Sequence, residues 1–400
     1  MKYIVLLGDG MADYPIPSLG NRTPLQYAST PNMDKLAEVS QLGMVTTVPA
    51  GFSPGSDVAN LSVIGYDPKT YYTGRSPLEA ISMGIDLLPG DISFRCNLVT
   101  LSDEENYQDK RMLDYCAGEI SSEEAAELIK TINETLAPEG INFYPGISYR
   151  HLMVWHNGTG EQHCTPPHDI ADKTIGNYLP QGNGSEELLN MMLNSNKLIE
   201  EHPINLLRKE RGKNPANSIW LWGQGTKPKM PAFKDVYGVE GAMISAVDLT
   251  KGIAQAVGLQ VVDVHGATGN IHTNFTGKAK AALKILSEGS DFVYLHIEAP
   301  DEAGHQGDLE TKIQAIEAID RLVLGEIISG MKELDDYKLV VLPDHPTPIS
   351  LRTHTAEPVP FMLFNSAAIK NGPRIFHEKS ALAANFHIDQ GPDLMKLFLR

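Results

Sequence analysis

Three short runs are apolar at nearly every position: YIVLL at residues 3–7, FVYLHI at 292–297 and KLVVL at 338–342. A strand covered on both faces shows no polar alternation, so such runs predict buried parallel strands. Each run ends shortly before an aspartate, Asp9, Asp301 or Asp344. Apolar residues recur at helical spacing over 77–84, 246–257, 276–288 and 309–330. Helices alternating with strands predict an α/β sheet, whose ligands collect at the carboxyl ends of the strands.

Between residues 103 and 215 the pattern changes. A helix is predicted over 122–136 and an aromatic strand over 148–155, followed by a Pro-, Gly- and Asn-rich passage with NGTGEQHCTPPHD and LPQGNGSEE. The expected organisation is a core domain from 1–102 and 216–400, interrupted by an inserted domain at 103–215. The length of 400 residues fits two domains better than one continuous core.

Composition narrows the partners. Apolar residues form 42% of the chain and charged residues 21%, ordinary for a folded protein. The net charge of -17 excludes sequence-independent binding to nucleic acid or an anionic membrane, which needs basic surface. An anionic substrate would require a locally basic pocket. No apolar run approaches the ~18 residues of a membrane span, and MKYIVLLGDG meets Asp9 too early for a secretory signal. Cys96, Cys116 and Cys164 show no CxxC spacing, so a cytoplasmic location is expected.

Four stretches supply metal-ligating side chains: GDG with Asp9, DEAGH with Asp301 and His305, PDH with Asp344 and His345, and RTHTAEPVP with His354. Mixed carboxylate and imidazole donors suit Zn²⁺ or Mn²⁺ better than Ca²⁺, which prefers oxygen alone. Six ligands exceed the needs of one ordinary ion and divide between two. Two ions about 4 Å apart can clamp the attacking and leaving oxygens of a displacement at phosphorus. The nucleophile candidate is Ser56 in FSPGSDVANLSVIGY, where Pro54 and Gly55 predict a turn and a helix follows. A serine there is also a common helix cap; as a nucleophile, it would be activated by metal coordination. LWGQG is too poor in glycine for a nucleotide loop, and no GxxxxGK[ST] occurs.

GDGMAD, TPLQYASTPNMDKLA, SPGSDVANLSVIGYDP, GRSPLEA, SFRCN, AVDLTKGIA, HIEAPDEAGH and PDHPTPISLRTHTAEPVPF occur in an order that resembles the alkaline-phosphatase superfamily. Within it, the blocks resemble the cofactor-independent phosphoglycerate mutases of the archaeal type. The resemblance implies a three-layer α/β/α core like that of alkaline phosphatase, with a smaller inserted α+β cap that closes over the site. It assigns Asp301, His305 and His354 to one ion, and Asp9, Ser56, Asp344 and His345 to the other. Mn²⁺ is the expected metal, with Mg²⁺ or Zn²⁺ as alternatives. Ser56 would take the phosphoryl group of 3-phosphoglycerate and return it to the 2-hydroxyl, without bisphosphoglycerate, in glycolysis and gluconeogenesis. The implied partner is a small phosphorylated substrate, and the chain a monomer or small homo-oligomer.

One block departs from the family. Where its members read Asp-Arg-Arg-Ala-Gly-Arg, this chain reads DYCAGEI, with Tyr115, Cys116 and Glu119 at the arginine positions. That keeps open a second reading, a homoserine kinase branch of the family, whose substrate ammonium would suit Glu119. Lys251, Arg150, His163 and His168 are the other substrate-binding candidates, with Arg95 and Arg111 behind them, and Arg75 is expected in a structural ion pair.

Overall fold

The computed structural model describes residues 1–332 and 336–400. The chain divides into two compact units, 1–72 with 229–400, and 73–228.

The first unit is built on an eight-stranded sheet. Its order is His387–Ile388, Gln41–Val45, Val359–Asn365, Tyr337–Leu342, Lys2–Gly8, Phe292–Ile297, Gly241–Ile244, Gln260–Val261. Lys2–Gly8 pairs in parallel with both neighbours, matching Leu7 to His296 on one side and to Leu342 on the other. Only Val359–Asn365 runs antiparallel to its neighbours. The first strand is therefore central, and both its partners come from the last third of the chain. Successive residues of a strand point to opposite faces. Ile4 and Leu6 join the core cluster of helix Phe275–Ser287 and residues 315–331, while Tyr3 on the other face meets Phe398 of helix Gly391–Leu399 edge to face. Covering both faces makes the three-layer α/β/α core and explains why Ile4, Val5, Leu6 and Leu7 are all fully buried.

The predicted helix over 309–330 is present as Leu309–Ala318, a π-helical turn at Ile319–Leu324, and Gly325–Met331. In the π turn, Asp320 accepts from the backbone N–H groups of Met33 at 2.7 Å and Asn32 at 3.2 Å. Those orphan donors open helix Pro31–Ala37, whose own Thr30 does not cap it. A residue distant in sequence thus supplies the cap, a contact that no local pattern could announce.

The second unit holds an antiparallel sheet in which Ile92–Leu101 pairs with Met112–Asp114, Arg150–Trp155 and Ser218–Gly225. Ile141–Tyr144 extends it. Helix Ser122–Leu136 matches its prediction; Ser121 Oγ caps it by accepting from Glu124 N at 3.3 Å. Ala125, Leu128, Ile129 and Ile132 form its buried stripe; each such Leu or Ile contributes about 2 kcal/mol by leaving water. The division between units falls at 72/73 and 228/229, not at the expected 102/103 and 215/216. The reason is Ile92–Leu101, whose partners are Arg150–Trp155 and Ser218–Gly225, so the strand and the segments leading to it belong to the second unit.

Candidate metal centre and active site

Three adjacent parallel strands end side by side, and their ends carry the chemistry. Asp9 directly follows Lys2–Gly8, Asp344 and His345 follow Tyr337–Leu342, and Asp301 lies four residues past Phe292–Ile297. APDEAGHQ forms an α-helix, Ala299–Gln306. Helical spacing puts residues i and i+4 on one face, so Asp301 and His305 converge, with His305 Nε2 3.3 Å from Asp301 Oδ2. His354 comes from the segment before strand Val359–Asn365 and closes the group, its Nε2 3.5 Å from Asp301 Oδ1 and 2.9 Å from His305 Nε2.

The second group is Asp9, Asp344 and His345. His345 Nε2 lies 3.6 Å from Asp9 Oδ1 and 3.3 Å from Asp344 Oδ2. All three residues are almost fully buried. In each group the ligand atoms lie within 4.8 Å of one another, close enough to share a cation. Asp9 Oδ1 is buried with no hydrogen-bond partner, a costly state for a carboxylate unless a cation meets it. Burial, then repulsion from Asp344 and Asp301, holds the Asp9 carboxyl well above the usual carboxylate range, the signature of a cluster lacking its counter-charge. These donors fit two divalent ions.

Ser56 is the first residue of helix Ser56–Val63, with Gly55 as its N-cap. Gly55 is extended rather than turned (φ -179°, ψ 155°), which corrects the turn expected at Pro54–Gly55. The Ser56 side chain does not cap the helix; its Oγ lies 3.1 Å from His345 Nε2. Asn60, one turn on, donates to Asp344 Oδ2 at 2.8 Å and accepts from Tyr294 OH at 2.8 Å. The short helix therefore holds the hydroxyl and one carboxylate in register.

Thr347 links the two groups. Its hydroxyl donates to Asp301 Oδ1 at 2.5 Å, so its oxygen accepts from His345 Nδ1 at 3.3 Å. That fixes the His345 proton on Nδ1 and turns the Nε2 lone pair toward the Asp9 and Asp344 carboxylates. His305 is set the same way, its Nδ1 donating to Arg352 O at 3.0 Å. Burial pushes His345 down to about 4, which keeps its ring neutral. Burial also disfavours a charged His305, but Asp301 outweighs it and raises His305 to about 9. Asp301 is the mirror case: burial opposes its ionisation, yet His305 and His354 hold it well below the usual range.

Gly10 makes the close approach possible. It has φ +62°, and a Cβ there would stand 2.6 Å from Thr347 Oγ1 and 2.7 Å from Asp301 Cα and Oδ1. Sequence reasoning missed this role, together with those of Thr347, Asn60, His296 and Lys312. The last is fully buried and donates to Asp13 Oδ2 and to Thr347 O, each at 2.7 Å. The signal was available for two of them: His296 stands between Leu295 and Ile297, and Lys312 falls on the helix face of Leu309, Ala315 and Ile316.

The substrate-binding candidates are dispersed. Lys251, on helix Asp248–Ala256, pairs with Asp263 at 2.6 Å in the first unit. The other four lie in the second unit. Arg150 stacks over Tyr149 at 5.5 Å; Tyr149 meets Tyr115 at 6.1 Å, which meets His168 at 6.1 Å, which meets Trp222 at 5.3 Å. Arg95, 5% exposed, lies 5.1 Å from the Trp222 ring and pairs with Glu79 at 2.7 Å, where Arg75 also pairs at 3.0 Å. His163 stands apart, bridged to Gln181 by backbone. Glu119 is exposed and closes a left-handed turn, with φ +48°, +63° and +50° at Ala117, Gly118 and Glu119. Asp114 stabilises that turn by accepting from the N–H groups of Cys116 at 2.9 Å and Gly118 at 2.7 Å. The three cysteines are free, and among the described residues no helix is long and apolar enough to cross a membrane.

The comparison with known proteins decides the family. A Geobacter sulfurreducens protein is 51% identical over 400 residues, covering 100% of both chains. A Methanosarcina mazei protein named 2,3-bisphosphoglycerate-independent phosphoglycerate mutase is 49% identical over 403 residues, again with 100% of both chains covered. The chain belongs to the 2,3-bisphosphoglycerate-independent phosphoglycerate mutase family. The family's sequence profile matches residues 37–205, and that of type I phosphodiesterase / nucleotide pyrophosphatase matches 169–350. Among solved structures, the cofactor-independent phosphoglycerate mutase of Thermoplasma acidophilum aligns at TM-score 0.60 and 25% identity, covering 99% of this chain and 98% of its own. A Pyrococcus horikoshii protein aligns at TM-score 0.81 and 31% identity, covering 100% and 96%. The architecture is shared with these two solved structures.

Proposed function

We propose that this member of the mutase family interconverts 3-phosphoglycerate and 2-phosphoglycerate through a phosphoserine on Ser56, without bisphosphoglycerate. The observation that carries this reading is the convergence of Ser56 with Asp9, Asp344 and His345 beside a second group, Asp301, His305 and His354, in a chain about half identical to full-length phosphoglycerate mutases. Two divalent ions, Mn²⁺ by preference, would be held by the two groups. When bound, such ions neutralise phosphoryl charge and lower the pKa of a coordinated hydroxyl. The protein's own part is positional. Helix Ser56–Val63 holds the serine oxygen beside the His345 imidazole, while Thr347 and Arg352 O keep the imidazole lone pairs aimed inward. The phosphoryl group passes from the 3-oxygen to Ser56 Oγ, and the 2-hydroxyl of the retained glycerate then takes it back.

Purified protein with 3-phosphoglycerate and Mn²⁺ should form 2-phosphoglycerate in the absence of bisphosphoglycerate, and Ser56→Ala should abolish it while leaving the fold intact. Unchanged turnover in Ser56→Ala would sink the mechanism. The homoserine kinase reading draws no support from the relatives described above; a parallel assay with homoserine and ATP should yield no O-phosphohomoserine.

A further inference from the structure

His296 is a polar residue in the wrong kind of place. It stands in the strand Phe292–Ile297, opposite Leu7, and is fully buried among apolar neighbours. An imidazole is expensive to bury unless both nitrogens are satisfied. Here both are. Its Nε2 lies 2.9 Å from Asp9 Oδ2, and its Nδ1 lies 3.2 Å from Ser245 Oγ.

The donors can be assigned from their partners. A carboxylate oxygen only accepts, so Nε2 carries the proton and donates to Asp9. Nδ1 then presents a lone pair, which the Ser245 hydroxyl fills as donor. Ser245 is itself held: its oxygen accepts from Val247 N at 3.0 Å and lies 2.7 Å from Thr250 Oγ1. Strand Gly241–Ile244 and helix Asp248–Ala256 flank this serine and anchor the relay. The consequence falls on Asp9, where Oδ2 is occupied and Oδ1 alone is unpartnered.

We infer that His296 is a positioning residue that leaves Asp9 a single oxygen for a cation, and that it thereby sets which cation the Asp9, Asp344 and His345 group prefers. The inference rests on reading Asp9 as a metal ligand. A carboxylate turned this way, with Oδ2 committed to an imidazole N–H, closes less readily on an ion with both oxygens. Ca²⁺ favours high coordination numbers and bidentate carboxylates, so it loses most from the restriction, whereas smaller ions with fewer ligands lose little. Partners of this kind are typically worth 10- to 100-fold in metal affinity.

The test measures binding of metal alone, by titrating the chelator-stripped full chain with Mn²⁺ and then displacing it with Ca²⁺, without substrate. His296→Leu should weaken Mn²⁺ at one of two sites by at least about tenfold and move the Mn²⁺/Ca²⁺ preference toward Ca²⁺ by a similar factor. His296→Gln restores an N–H donor and should recover much of both. Ser245→Ala leaves Nδ1 unpartnered and removes the anchor that holds the ring against Asp9, so it should shift the preference in the same direction, which keeps the inference testable if His296→Leu fails to fold. An unchanged Mn²⁺/Ca²⁺ ratio in the variants that fold overturns it. A wild-type protein that lacks phosphoglycerate turnover while the ratio still shifts would overturn the proposed function and leave this inference standing.

Discussion

Gly10→Ala separates a steric claim about the site from a general claim about backbone strain. Gly10 sits at φ +62°, where an L side chain costs roughly 1–2 kcal/mol. Its new methyl would stand 2.6–2.7 Å from Thr347 Oγ1, Asp301 Oδ1 and Asp301 Cα. Ordinary carbon contacts lie near ~3.5–4.0 Å, so something must move by about 1 Å. The Thr347 hydroxyl cannot turn away without releasing Asp301 and His345, and Asp301 Cα is held in the first turn of helix Ala299–Gln306. The displacement therefore falls on the Asp301, His305 and His354 group, and a misplacement of that size costs on the order of 100-fold in rate. Gly20→Ala is the control: its φ is +69°, but a Cβ there meets nothing within 4 Å. Gly20→Ala should lose about 1–2 kcal/mol in a thermal or urea melt; Gly10→Ala should lose more, because overpacking adds roughly 1–3 kcal/mol, and it alone should also lose metal at one site and about 100-fold in turnover. Wild-type Mn²⁺ stoichiometry and turnover in Gly10→Ala would refute the reasoning.

Three further outcomes follow from the same geometry. Lys312→Met strands the buried Asp13 carboxylate and should destabilise the protein by about 3–5 kcal/mol, with Asp13→Asn/Lys312→Met losing less than the sum of the single changes in denaturant melts. Thr347→Val keeps the shape but removes the hydroxyl shared by Asp301 and His345, so isothermal titration should find Mn²⁺ weakened about 10- to 100-fold at both groups. The pH response should invert with metal. Without metal, the His305–Asp301 pair has a folded His305 near 9 against an unfolded value near ~6.5; its stabilisation is complete below the lower value and lost as pH rises through about 9. Mn²⁺ must instead displace that proton, so Mn²⁺ affinity should rise with pH over the same window and binding should release protons into the buffer. Melts of chelated and loaded protein between pH 6 and 10 check both signs.

Much of the site was legible because its ligands sit where local pattern is strongest. Asp9, Asp301 and Asp344 each follow an apolar strand, and strands read from continuous apolar runs are among the clearest features of a chain. Illegible were the residues that act through space: Gly10 makes room for Asp301, Thr347 joins two imidazole and carboxylate groups, Lys312 ties Asp13 to Thr347, and Asp320 caps a helix nearly 290 positions earlier in the chain. The fully buried strand Ile92–Leu101 shows the converse problem. Its apolar and polar residues alternate from Ile92 to Leu98, a clear strand signal, but alternation does not say which sheet a strand joins, so the expected boundary between units lies some 30 residues past the observed one at one end.

Amino-acid order alone determined the α/β class, the strand ends, the six metal-ligand candidates and Ser56, because apolar periodicity and chemical type are properties of short stretches. Tertiary structure alone decided the contacts: which nitrogen of each imidazole carries the proton, which oxygen of Asp9 is left over, and that APDEAGHQ winds into a helix with Asp301 and His305 on one face. Those are set by distances of about 3 Å between residues hundreds of positions apart, and a hydrogen bond's direction is fixed only once its partner is in place.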